Sequence, residues 1–346
     1  MHRRTFVTLA AASITAALAT VMTGAALAQD DTDGNTADQR GRGASGGLDA
    51  ALRRYLALPG TKSYLIHVGQ GGALRRIAHQ PGLFLFTASA YKTLVLAQYL
   101  RDVEAGRLSE DDPLAIDDSV RMIGSPVFQA LAGIAAAGPV LEAMIAHSDN
   151  TATDIATEKV GADRVRALIA EAGLSSIRIP DSTRRFFSYV LGAPAGTDLG
   201  WPGIIKALTN PPGPHRSPLN DVITLAGSAS DFVSWYEQAL RGTFFAKRET
   251  LTEFKRIQAM SEQIAKAVPS DTPAYAKGGE LPWPGLSTKS FAGQIVAGGD
   301  GRTPVTFCFV VNWKGSEDPD SEFPAIEAEF FAAIKGILSV IKRDLQ

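Results

Sequence analysis

The spacing of apolar residues changes several times along this chain, and each change marks an element. Lys62-Ser63-Tyr64-Leu65-Ile66-His67-Val68 and Leu74-Arg75-Arg76-Ile77-Ala78 read as two strands, and Gly69-Gln70-Gly71-Gly72 between them as a hairpin connection. Near the other end, Ala274 to Leu281, Ser290 to Ala297 and Val305 to Trp313 are strand-like. The run Val305-Thr306-Phe307-Cys308-Phe309-Val310-Val311 is apolar almost throughout, so both of its faces should be covered and Cys308 should be a small core residue. In the last segment Ile326, Phe330, Ile334, Leu338 and Ile341 recur at helical spacing, one stripe for packing on a sheet. Ser321 fits its N-cap and Pro324 its first turn.

The middle of the chain has helical periodicity. Lys92 to Gly106, Val140 to His147, Thr151 to Val160, Ala162 to Gly173 and Ser230 to Gly242 are the segments, the last with Ser230 as cap. From Leu174 to about Ala229 the periodicity weakens among Pro, Gly and Ser, which predicts a long functional loop or surface excursion. Strands from both ends with helices between predict an α/β fold of the α+β type. In it an antiparallel sheet is flanked by the C-terminal helix and by a mostly helical inserted layer. No internal repeat divides residues 48–346, which read as one domain.

Residues 1–28 have a different texture. Arg3 and Arg4 precede an uncharged stretch, Thr5 to Ala28, that closes on Ala26-Leu27-Ala28, the small-x-small pattern of a cleavage site. This resembles a twin-arginine export signal and predicts a periplasmic or secreted mature protein with no stable membrane insertion. A retained anchor is the alternative, since the stretch could span a bilayer, but its threonines and alanines make it only mildly apolar. Residues 29–47 offer almost nothing to bury and read as a disordered leader. Within it, Gly43-Ala44-Ser45-Gly46-Gly47 matches G-x-S-x-G, yet without a strand-to-helix turn the match is chance.

Composition narrows the chemistry. Among 346 residues, 34 basic and 36 acidic side chains give a net charge of −2, leaving no surplus to bind nucleic acid by its phosphates. One cysteine permits no intramolecular disulfide. The five histidines (His2, His67, His79, His147 and His215) lack metal-ligand spacing, so neither a metal nor another cofactor is expected.

Ser89-Ala90-Tyr91-Lys92 opens the first long helix. A serine and a lysine three residues apart share a helix face, and the positive helix end favours a developing alkoxide. The amine can act as a base only if desolvation or another positive charge lowers its pKa. Alone the motif says little, since Ser339-Val340-Ile341-Lys342 repeats it in the last helix. Order adds meaning. Ser148-Asp149-Asn150 stands between two helices, where it offers a second hydroxyl and an amide. Lys277-Gly278-Gly279 lies on a strand, although Lys159-Val160-Gly161 shows that K-x-G too is weak by itself.

With these three sets in this order, the chain resembles the serine β-lactamase and penicillin-binding superfamily, closest to class A β-lactamases, whose signature is S-x-x-K, S-D-N and K-T-G. The stretches Glu104-Ala105-Gly106-Arg107-Leu108-Ser109 through Asp112-Pro113-Leu114 and Leu141 to Thr151 (LEAMIAHSDNT) are similar as well. The resemblance implies that Ser89 is acylated by a lactam or ester carbonyl and that Lys92 takes its proton. It makes Ser148 the proton relay to the leaving group and Asn150 a positioner of substrate and Lys92. Lys277 would hold a substrate carboxylate beside Gly279, and the backbone N–H groups of Ser89 and Glu280 would form the oxyanion hole. The partner it implies is a small β-lactam or an acyl-peptide or ester substrate, met by a monomer.

Two departures stand out. Gly278 replaces the hydroxyl residue of K-[ST]-G, and no glutamate occurs between Leu174 and Ser228, where class A enzymes carry their water-activating residue. Asp181 is a substitute base or else a loop-pinning residue; Arg184 and Arg185 meet an anionic substrate or form a solvated surface pair. Three readings follow: a β-lactam hydrolase slow in deacylation, a D-alanyl-D-alanine peptidase or esterase, and a sensor acylated once without turnover.

Overall fold

A computed structural model describes residues 40–71, 74–299, 301–316 and 318–346. The export-signal reading therefore lies outside the described residues. The chain opens with helix α1 (Arg40–Leu56), so the final stretch of the expected leader, residues 40–47, is helical. Then come strands β1 (Thr61–Val68), β2 (Arg75–His79) and the short β3 (Leu85–Phe86). A 3-10 turn over Ala88–Tyr91 leads into α2 (Lys92–Glu104), and β4 (Pro113–Ile116) and β5 (Gly133–Ala136) form a small antiparallel pair. Helices α3 (Ala137–Ala146), α4 (Asn150–Val160) and α5 (Ala162–Glu171) follow.

The expected excursion after Leu174 holds more regular structure than its composition suggests. It contains α6 (Thr183–Val190), α7 (Gly200–Thr209) and β6 (Ala226–Gly227). The signal in α6 is brief: Phe186, Phe187 and Val190 turn inward while Arg185 points to solvent, and eight residues give barely two turns of period. Next are α8 (Ala229–Leu240), α9 (Arg248–Gln258), α10 (Gln263–Ala267), β7 (Ala274–Leu281), β8 (Ser287–Ala297), β9 (Thr303–Trp313) and α11 (Pro319–Asp344). Ser228, not Ser230, caps α8, with its side chain accepting from Asp231 N–H. At the last helix Asp318, not Ser321, stands at the N-cap and Pro319, not Pro324, occupies the first turn; Pro324 lies inside, where its missing N–H removes one bond near the helix start.

Five antiparallel strands form the main sheet in the order β2-β1-β9-β8-β7. The central strand shows why its sequence is continuously apolar. Phe307, Phe309 and Val311 face a core shared with α1 and α11, including Tyr55, Phe330, Ile334 and Leu338. Cys308 and Val310 face the other core, shared with the helical layer that includes Trp235 and Tyr236. Alternate side chains thus enter opposite cores, as the two-residue strand period requires. Burial of each large aliphatic or aromatic side chain contributes about 1.5–3 kcal/mol before entropy is counted. Among the described residues, no helix is long and apolar enough to cross a membrane. The edge strand β7 lies against the turn that begins α2, and the site forms along that seam.

Candidate active site

Ser89 sits on the 3-10 turn just before α2, one helical turn from Lys92. Its approach is pinned from the sheet. Phe86 N–H donates to Asn312 Oδ1 at 2.9 Å, and Phe86 O accepts from Asn312 Nδ2 and Thr288 Oγ1, each at 2.8 Å. Thr87 O accepts from Ser290 Oγ at 2.7 Å. Ala88 then takes a positive φ of 48°, bending the chain so that the next residue heads the turn. Three short polar side chains on otherwise apolar strands therefore fix the backbone that presents Ser89. Sequence reasoning passed over Thr288, Ser290 and Asn312; their signal was polarity inside buried strands.

Close approach on the opposite side depends on Gly279. A Cβ there would lie 2.2 Å from Thr87 O and 2.5 Å from Ser89 N, so β7 and the serine turn touch backbone to backbone. Only glycine permits this spacing. Because β7 is an edge strand, paired only with β8, its outer backbone groups face the turn.

The lysine of the helix is fully buried. Lys92 Nζ donates to Ser148 O at 2.6 Å, Asn150 Oδ1 at 2.8 Å and Ser148 Oγ at 3.3 Å. From the strand side, Lys277 Nζ donates to the same Ser148 Oγ at 3.0 Å and to Gly278 O at 2.6 Å. Lys92, Ser148, Asn150 and Lys277, from three distant parts of the chain, thus form one bonded cluster, with Ser89 a turn away. Burial, followed by the charge of Lys277, pushes the Lys92 amine well below its ordinary value. Burial also lowers Lys277, to about 7, with the charges of Glu280 and Glu262 working against the shift. Two buried amines bonded to one hydroxyl cannot both keep a proton cheaply, so the lowered Lys92 is the amine that sheds one, keeping two of its three contacts as donor and turning a lone pair to the third.

Ser148 is held in a strained geometry, φ 55°, by its neighbour. Asp149 Oδ1 caps α4 by accepting from Ala152 N–H at 2.8 Å. Its Oδ2 accepts from Val127 and Phe128 N–H, each at 2.9 Å. The aspartate of S-D-N is therefore a positioning residue, a role that the sequence reading left unassigned. Asn150 Nδ2 donates to Ile123 O at 2.9 Å, and a Cβ at Gly124 (φ 69°) would crowd that nitrogen at 2.8 Å. The other S-x-x-K pair lies away from this cluster: Lys342 bonds Ser270 O and Thr272 Oγ1.

Of the two readings of Asp181, the geometry fits the loop-pinning one. Its carboxylate pairs with Arg166 at 2.6 Å and with Arg185 at 3.3 Å, and its side chain is 53% exposed. It pins the loop ahead of α6. Arg184 is not a solvated surface residue: it grips Asp198 through two bonds of 2.7 Å with its side chain 12% exposed. At the start of α6 the buried Asp154 accepts from Thr183 N–H at 2.6 Å and Arg184 N–H at 3.0 Å. Burial raises Asp154 to about 6 in spite of those bonds. The buried side chains of α6 are Thr183, Phe186, Phe187, Ser188 and Val190, with Phe186 stacked on Phe86 at 5.7 Å. Helix α6 itself brings no carboxylate to this face; the buried carboxylate beside it is Asp154, held by the N–H groups of Thr183 and Arg184.

The fold and the cluster define a class, the β-lactamase-fold serine hydrolases. The model of the β-lactamase enzyme family matches residues 53–311, and the chain belongs to that family. Solved structures support the fold. A β-lactamase from Chitinophaga pinensis superposes with a TM-score of 0.66 at 16% identity, over 87% of this chain and 100% of that one. A β-lactamase from Sphaerobacter thermophilus gives 0.64 at 20% identity, over 87% and 97%. A mutant of PBP-A, solved as an acyl-enzyme complex with penicillin G, gives 0.62 at 14%, over 88% and 97%. No curated protein matches the chain.

Proposed function

We propose that the protein is a serine hydrolase that opens β-lactam rings through an acyl-enzyme on Ser89 and releases the product slowly. The observation that carries this reading is the shared bonding of Lys92 and Lys277 to Ser148 Oγ, beside a serine presented at a helix start. Neutral Lys92 takes the Ser89 hydroxyl proton as Oγ attacks the carbonyl carbon. Negative charge grows on the carbonyl oxygen, where the N–H groups of Ser89 and Glu280 stabilise it. Collapse breaks the acyl C–N bond, and the leaving nitrogen takes the Ser148 proton, which Lys92 replaces. Each proton removed from the nucleophile is thus returned to the leaving group.

Deacylation needs a base for water. The buried face of α6 supplies phenylalanines, and this favours a slow second step. The same observation supports the second reading, a D-alanyl-D-alanine peptidase or esterase, for which the acceptor need not be water activated by a loop carboxylate. Incubation with a chromogenic cephalosporin and a fluorescent penicillin, followed by intact mass, tests both. Slow turnover with an adduct that Ser89→Ala abolishes supports lactam hydrolysis; an adduct accompanied by cleavage of acyl-D-alanyl-D-alanine peptides supports the second reading. Absence of any adduct on folded protein ends both.

A further inference from the structure

Going beyond the residues bonded to Ser148, and resting on the acyl-enzyme reading, we infer that Tyr236 is a positioning residue for the two amines. Its phenol joins the helix that carries Lys92 to the strand that carries Lys277, and so fixes the spacing between them. Tyr236 lies on α8 and is wholly buried, as are Thr93, Trp235 and Gln258. Thr93 follows Lys92 directly on α2. Its Oγ1 accepts from Trp235 Nε1 at 3.1 Å, and Tyr236 Oη donates to Gln258 Oε1 at 3.0 Å. The Thr93 hydroxyl and the Lys277 backbone both lie within hydrogen-bonding reach of the Tyr236 oxygen. One atom thus stands between α2, α9 and β7.

This polar cluster sits in an apolar core that includes Leu96, Val233, Phe254 and Ile257. Apolar side chains of the same shape would fill that space about as stably, because a buried hydrogen bond must first offset the desolvation of both partners. What directional bonds add is a fixed geometry. The Nε2 of Gln258 is buried with no partner among the described residues, so the bond from Tyr236 is what orients its amide. Its helix, α9, packs on α2, α3 and β7, the elements around the two amines. Ser148 Oγ joins the amines at their tips, at 3.3 and 3.0 Å; the phenol joins the segments that carry them. Spacing matters because the charge of Lys277 is, after burial, what holds the Lys92 amine low. A wider gap weakens that repulsion and returns Lys92 toward its ordinary value, leaving less neutral amine at neutral pH. The other charges facing Lys92 are Asp149, Asp154 and Glu280. Burial keeps the Tyr236 phenol itself protonated throughout.

The test uses Tyr236→Phe and Thr93→Val, which remove one hydroxyl each and keep the side-chain shape, and Thr93→Ser, which keeps a hydroxyl at 93. All three leave Asp149, Asp154 and Glu280 in place. The rate of Ser89 acylation by a fluorescent penicillin is followed across the acid limb of its pH profile, where Lys92 gains its proton, with urea midpoints in parallel. Tyr236→Phe and Thr93→Val should each slow acylation about tenfold at neutral pH, a fraction of the roughly 100-fold that a 1 Å misplacement costs. Both should also move the acid limb toward higher pH, and Thr93→Ser should restore rate and limb together. A lowered urea midpoint with rate and limb unchanged would mark a merely structural role and overturn the inference, as would Thr93→Ser behaving like Thr93→Val. Should one variant not fold, the other decides. If the penicillin leaves Ser89 of the unmodified protein unlabelled, the acyl-enzyme reading fails and takes this inference with it. If it labels Ser89 and the variants match the unmodified protein, only the inference falls.

Discussion

Adding one carbon at Gly279 perturbs the seam on which the site depends. In Gly279→Ala the new Cβ would lie 2.2 Å from Thr87 O, 2.5 Å from Ser89 N and 3.0 Å from Ala88 C. These are backbone atoms, pinned by Ser290 and Asn312, and no flexible side chain can move aside. Ordinary contact is restored only if strand and turn separate by about 1 Å, a displacement worth on the order of 100-fold in the rate of a positioned reaction. Overpacking adds a stability loss of about 1–3 kcal/mol. The assay is the rate of Ser89 acylation by a fluorescent penicillin, with the urea midpoint measured in parallel to establish that the variant is folded. The expected result is a folded protein acylated about two orders of magnitude more slowly. Acylation at the unmodified rate would refute the reasoning, because the contact between β7 and the turn would then not position the nucleophile.

Further outcomes follow from the same geometry. Lys92→Met removes the neutral amine and should slow acylation by about 100-fold to 10,000-fold, read by the same assay. Lys277 has its pKa lowered to about 7 by burial, so between pH 7 and its unfolded value the unfolded chain binds more protons and stability from this group rises with pH. Relative to the unmodified protein, Lys277→Met should flatten that rise in urea midpoints measured across the window, and an unchanged slope would contradict the assignment. Asp154→Asn leaves one of the Thr183 and Arg184 N–H groups facing an amide donor and should lower stability by about 1–3 kcal/mol by urea unfolding. Phe186→Glu sets a carboxylate on the buried face of α6 beside Phe86; it should shorten the adduct lifetime by at least about tenfold while lowering Tm.

Much of the site was legible because it is carried by short motifs that occupy the ends of elements. Ser89 and Lys92 open a helix with clear periodicity, and Lys277 lies on a strand whose bounds, Ala274–Leu281, match the expected ones. The alternation of Phe307, Cys308, Phe309 and Val310 between two cores made the central strand readable as well. What stayed hidden depends on contacts between distant segments. The Asn312 bonds to Phe86 join residues 226 positions apart, and nothing local to either announces them. Helix α6 escaped because two turns amid glycine and proline leave little period to detect. The contact of Gln263 with Gly278 was invisible for a further reason: its amide fills the space a side chain at 278 would need only once α10 packs on β7.

The most direct test of the central claim is intact mass spectrometry of the folded protein after exposure to benzylpenicillin, with the modified residue mapped by peptide digestion. The account predicts a single covalent adduct on Ser89 that is absent in Ser89→Ala. An unmodified protein, or an adduct that persists in Ser89→Ala, would contradict it.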